Sequence, residues 1–141
     1  MSRSPLFLLL AFVIAVAPAR ADPPDLTPPA TDADAATWVT FSDNLVEALH
    51  TTDNLGLQTS ALQHVAAYGD RVDVSAAKFD IVRLYRDHSD TRVRMAALAA
   101  LAQMDDGWVA DFLLRSARFE KDEHLARLTL HAAQAVAARR G

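Results

Sequence analysis

From residue 34 to residue 138 apolar side chains recur three and four positions apart, the spacing that gathers them on one face of an α-helix. Turn-forming residues interrupt the rhythm about every 15 to 18 residues, so the pattern predicts six short helices, over about 34–51, 54–68, 74–87, 91–104, 108–118 and 123–138. Trp38, Phe41, Leu45 and Leu49 share a face of the first; the third carries Phe79, Val82 and Tyr85. In the fourth, Val93, Ala97, Leu101 and Met104 form a stripe. Asp53 is placed to cap the second helix at its start, and Gly69 to end it in a left-handed turn. Asp73, Ser89-Asp90, Asp105-Asp106-Gly107 and Asp122 precede the others.

The pattern also repeats. A shift of 36 residues lays Leu45, Leu49, Leu57, Ala61, Leu62 and Val65 on Ile81, Tyr85, Val93, Ala97, Leu98 and Leu101. One shift therefore aligns both helices of a pair, which periodicity inside a single helix does not produce. A further shift of 35 lays Val93, Ala97 and Leu101 on Leu128, Ala132 and Val136, although a shift of 33 aligns Arg94 with Arg127 instead. Three helical hairpins, about 37–69, 74–104 and 108–139, are the expected sequence signature of a stacked α-solenoid. The competing arrangement is an irregular helical bundle.

The stretch Asp90-Thr91-Arg92-Val93-Arg94-Met95-Ala96-Ala97-Leu98-Ala99-Ala100-Leu101 resembles the second helix of a HEAT repeat, with Asp at the turn, Val-Arg at the helix start, then Ala-Ala-Leu and a further Leu. The first hairpin departs from that pattern, with Leu57-Gln58 in place of Val-Arg, and the last has Ala126-Arg127 or Leu128-Thr129. The resemblance implies an all-α fold, a short right-handed α-solenoid of about three HEAT-like hairpins over 37–140, that binds other proteins and carries no catalytic residues. It also implies that the second helix of each hairpin lines a concave side. There the repeat shifts would form ladders from Gln58, Arg94 and Thr129; Ser60, Ala96 and His131; and Gln63, Ala99 and Gln134. A partner helix or extended segment would lie on Gln58, Gln63, Arg94, Thr129, His131 and Gln134, with Arg94 holding a carboxylate. The competing reading is a solvated face where Arg92 and Arg94 pair with Asp87 or Asp90.

All six prolines fall within the first 29 of 141 residues, so nothing beyond Ala30 contains the residue that breaks helices. Arg3, an apolar run from Leu6 to Ala17, Pro18 and then Ala19-Arg20-Ala21 have the three parts of a secretory signal peptide, with cleavage expected after Ala21. Twelve apolar residues span about 18 Å as a helix, short of a roughly 30 Å hydrocarbon core. The expected product is periplasmic or secreted, with no integral membrane segment. Removing 1–21 takes two arginines and no acid, leaving 12 basic and 18 acidic residues, net −6, which argues against nucleic acid as a partner. Residues 22–36 hold two Pro-Pro pairs and one large aliphatic, Leu26, and read as a disordered, extended linker.

Chemistry is sparse. The chain has no cysteine, which excludes disulfides and thiolate metal sites. Of five histidines, His124 and His131 lie on the sixth helix with Glu120 at its approach, which makes these three the candidate metal ligands; the plainer reading is a surface ion pair and an unrelated histidine. Asp87-His88-Ser89-Asp90 has the residue types of a hydrolytic triad, but neighbours in one turn cannot reach triad geometry. Asp105-Asp106-Gly107 lacks the alternating ligands of a calcium loop. No phosphate loop, His-Glu-x-x-His or dinucleotide fingerprint is present, so no cofactor is expected.

The resulting expectation is a non-enzymatic adaptor of the cell envelope that binds another protein or peptide segment. Two alternatives are a small-ligand or transition-metal carrier using the sixth-helix histidines and a structural envelope protein that self-associates. A second basic group, Arg83 and Arg86, is expected to face solvent. Leu130 on the terminal helix would allow end-to-end stacking into a homodimer.

Overall fold

Six α-helices and one 3-10 turn, with no strand among the described residues, make up residues 22–141 of the computed structural model. The helices are α1 (Ala35–His50), α2 (Leu55–Tyr68), α3 (Lys78–Asp87), α4 (Thr91–Leu101), α5 (Gly107–Phe119) and α6 (Glu123–Arg140), and the 3-10 turn Ser75–Ala77 precedes α3. The export segment expected over 1–21 lies outside the described residues.

Short polar side chains start these helices by accepting hydrogen bonds from first-turn N–H groups that have no helical partner. Asp34 accepts from Thr37 at 2.9 Å, Asp90 from Arg92 at 2.9 Å, Asp106 from Trp108 at 2.8 Å and Asp122 from Leu125 at 3.0 Å. At α2 the cap is Asn54, which accepts from Leu57 at 3.0 Å, and not the expected Asp53. Asp73 accepts from Ser75 at 2.9 Å and opens the 3-10 turn, so α3 begins four residues later than the periodicity suggests. Gly69 is right-handed, with φ −57°. Its requirement is space: a Cβ there would stand 2.4 Å from Cβ of Gln103 in the turn after α4.

Each odd-numbered helix packs on the even-numbered helix that follows it; α4 also touches both α2 and α6, and α1 touches α3. Five of the six pairs equated by the 36-residue shift share their burial: Leu45 and Ile81, Leu49 and Tyr85, Ala61 and Ala97, Leu62 and Leu98, Val65 and Leu101 are all buried, whereas Leu57 is part-buried and its counterpart Val93 buried. Under the 35-residue shift Ala97, Leu98 and Leu101 match buried Ala132, Ala133 and Val136. Alanine at these even-helix positions lets helix axes approach at the short end of the usual range of roughly 8–10 Å. Among the described residues no helix is long and apolar enough to cross a membrane.

One expectation is corrected here. Residues 22–34 form no helix, yet they do not stand free: Asn44 donates to the Asp25 carbonyl at 2.9 Å, Arg71 donates to the Thr31 carbonyl at 2.7 Å, and Leu26 and Ala33 pack against the core. Polar side chains of the helical domain hold this strand-like chain by its backbone, which an apolar pattern cannot reveal. Of the apolar residues of α3, Phe79 is 64% exposed, while Val82 and Tyr85 are buried.

Candidate functional site

The expected concave-face ladders do not form one surface. Gln58 is buried and its amide donates to the Leu49 carbonyl at 3.4 Å, closing the end of α1. Thr129 is fully buried; its hydroxyl donates to the Leu125 carbonyl at 2.8 Å and meets the Tyr85 hydroxyl at 2.8 Å. Gln63, His131 and Gln134 are exposed. Arg94 is turned inward, where Nε donates to the Tyr85 carbonyl at 2.7 Å and both terminal nitrogens donate to Glu120. The carboxylate that Arg94 holds is the chain's own, not a partner's.

That pairing also withdraws Glu120 from the candidate metal ligands. His124 and His131 are exposed, and among the described residues no three His, Asp or Glu side chains converge as a metal site would require. His50 instead meets Asp80 of α3 at 2.6 Å, and His88 accepts from the Asp90 N–H at 3.0 Å. Aspartates 87 and 90 are bound by Arg86 and Arg92, so the Asp-His-Ser-Asp run is a turn and helix cap.

A different constellation lies between α3 and α5. At the start of the two helices Phe79 and Trp108 meet edge to face with centroids 5.2 Å apart, and Lys78 bridges to Asp106 at 2.8 Å beneath both rings. Trp108 stacks on Phe112 at 5.3 Å, and Phe112 meets the Tyr85 ring edge on at 5.9 Å. Beyond these rings the helix ends leave a groove of about 680 Å³. Tyr85 and Phe112 line it together with Arg86, Arg115, Phe119 and Lys121, and the Arg94–Glu120 pair also borders it. Phe119, the last residue of α5, is 83% exposed.

The electrostatics follow from those contacts. Hydrogen bonds from Arg94 hold the Glu120 carboxyl below its ordinary pKa, and the same bonds raise that of Arg94. Burial pushes the Tyr85 phenol up. Asp122 also lines the groove, and accepting the Leu125 N–H lowers its pKa. Arg86 is spent on Asp87 at 2.8 Å. Arg115, Arg118 and Lys121 form no ion pair among the described residues, although six other arginines and lysines do. The groove thus joins exposed apolar surface to unspent positive charge.

No family model, curated protein or solved structure matches the chain. The sequence did carry a signal for this groove: Trp108, Phe112, Arg115 and Phe119 are spaced four, three and four apart and so share one face of α5, while Val109 and Leu113 face the core. A reading that assigns every aromatic to the core passes over it.

Proposed function

We propose that the protein is an exported, non-enzymatic adaptor of the cell envelope, built on HEAT-like hairpins, and that the α3–α5 groove is its docking surface. The observation that carries the reading is the exposed Phe119 beside Arg115, Arg118 and Lys121, cations without an acidic partner among the described residues. Large apolar groups that stay in water beside unspent charge mark interaction sites, because covering them gains hydrophobic and electrostatic energy together. The solenoid arrangement is supported by the packing of each odd-numbered helix on the even-numbered helix that follows it and by the contacts of α4 with α2 and α6. Export rests on the pattern of the first 21 residues, and N-terminal sequencing of the natural product should begin at Asp22.

The test is affinity capture by tagged wild-type chain from the envelope fraction of its source, beside Phe119→Ser and Gln134→Ala. A protein retained by wild type and Gln134→Ala but lost with Phe119→Ser is the expected result. Capture that ignores Phe119 and depends on Gln134 would return the docking surface to the even-numbered helices. A product of twice the chain mass as the sole catch would favour self-association.

A further inference from the structure

We infer that the α3–α5 groove takes an acidic, extended segment of a partner protein, seating one large apolar side chain against Phe112 and Phe119 and its carboxylates on Arg115 and Lys121. The inference rests on the adaptor reading and names its ligand. Of the four cations that line the groove, Arg86 is paired with Asp87 and Arg94 with Glu120, which leaves Arg115 and Lys121 unpaired against the one remaining lining carboxylate, Asp122. The patch is therefore locally positive on a chain whose formal net charge is −4. That contrast selects for acidic ligands and against basic ones, and it speeds encounter with an acidic segment.

Shape narrows the ligand further. Tyr85 is only 2% exposed and lies at the floor, whereas Phe119 stands out at the rim. A flat bilayer would meet the exposed Phe119 first; a side chain on a narrow segment reaches the part-buried Phe112 ring as well. Long polyanions such as nucleic acid meet the negative remainder of the chain, whereas a short acidic segment is confined to the patch.

The test uses fluorescence anisotropy of a labelled peptide of about ten residues, long enough at roughly 3.3 Å per residue to cross the groove. It is rich in Asp and Glu around a central Leu; companion peptides replace the acids by Lys or the Leu by Ser. Binding is expected for the acidic Leu peptide alone, weakening as ionic strength rises from about 0.05 to about 0.3 M. Phe119→Ser and the double variant Arg115→Glu/Lys121→Glu should each weaken it about tenfold or more, and all three side chains are exposed enough to replace without loss of helicity. Equal binding of the Lys peptide, or binding indifferent to these variants, overturns the inference. Groove-dependent binding to phosphatidylglycerol vesicles without peptide binding would assign the site to a membrane surface and overturn it likewise. If no peptide binds while envelope capture still depends on Phe119, the acidic segment is wrong and the adaptor stands; if capture is lost as well, both fall.

Discussion

Arg94 of α4 and Glu120 of the turn after α5 hold each other across the boundary between two hairpins, with side chains only 18% and 10% exposed. Arg94 also donates to the carbonyl of Tyr85 near the end of α3, so one guanidinium ties together three chain segments. Such a pair sits where breaking one side leaves the other charge half-buried and unmatched.

Arg94→Glu should therefore act first on stability. It sets two carboxylates against each other and frees the Tyr85 carbonyl, and a loss of about 2–3 kcal/mol is expected. Urea unfolding followed by circular dichroism measures it. The exchange Arg94→Glu/Glu120→Arg should recover part of the loss, because the charges match again while the bond to Tyr85 does not return. Wild-type stability in the single variant would show that the pair holds nothing.

The same pair sets a pH dependence. Glu120 has its pKa lowered on folding, so the folded state binds that proton less readily than the unfolded chain. Its contribution is complete above the unfolded carboxylate value and is lost as pH falls through the folded one. Asp106, lowered by Lys78, acts in the same direction. Unfolding free energy measured from pH 7 down to pH 3 should decline, and Glu120→Gln should decline less steeply from a lower starting point. Parallel curves for the two proteins would contradict this.

Gly69→Ala tests the close approach of the turns after α2 and α4. The added methyl would stand 2.4 Å from Gln103 Cβ and 2.7 Å from its Cγ, so the backbone has to move, at a cost of about 1–3 kcal/mol. If Gly69 served only conformational freedom, its right-handed φ of −57° would make alanine neutral or stabilising. The melting temperature of the variant separates the two.

Tyr85 and Thr129 share a buried hydroxyl pair that joins α3 to α6. Tyr85→Phe removes one hydroxyl while Thr129 keeps its bond to the Leu125 carbonyl, so the expected cost is only about 1 kcal/mol. In Thr129→Val the Tyr85 hydroxyl loses its one partner, and a larger loss is expected. Equal losses in the two variants would refute the asymmetry.

The helices were legible because core-facing periodicity and aspartate caps are local properties: Asp90 and Asp122 mark α4 and α6 in sequence as they do in structure. The 36-residue register was legible for the same reason, five of the six equated pairs being buried on both sides and Leu57 part-buried against buried Val93. Polar side chains were misread where their partners lie far along the chain. Arg94 looks like a free cation until Glu120, twenty-six residues on, is folded against it, and Thr129 looks exposed until Tyr85, forty-four residues back, reaches it. The exposure of Phe119 and Phe79 was not legible, because helical spacing alone does not say whether a ring faces the core or solvent.

Photo-crosslinking with p-benzoylphenylalanine at position 119, and separately at position 134, tests the docking surface most directly in cells of the source. If the α3–α5 groove receives a partner, illumination gives a discrete heavier adduct from position 119 and none from position 134. Adducts from position 134 alone would place the partner on α6 and contradict the assignment of the groove.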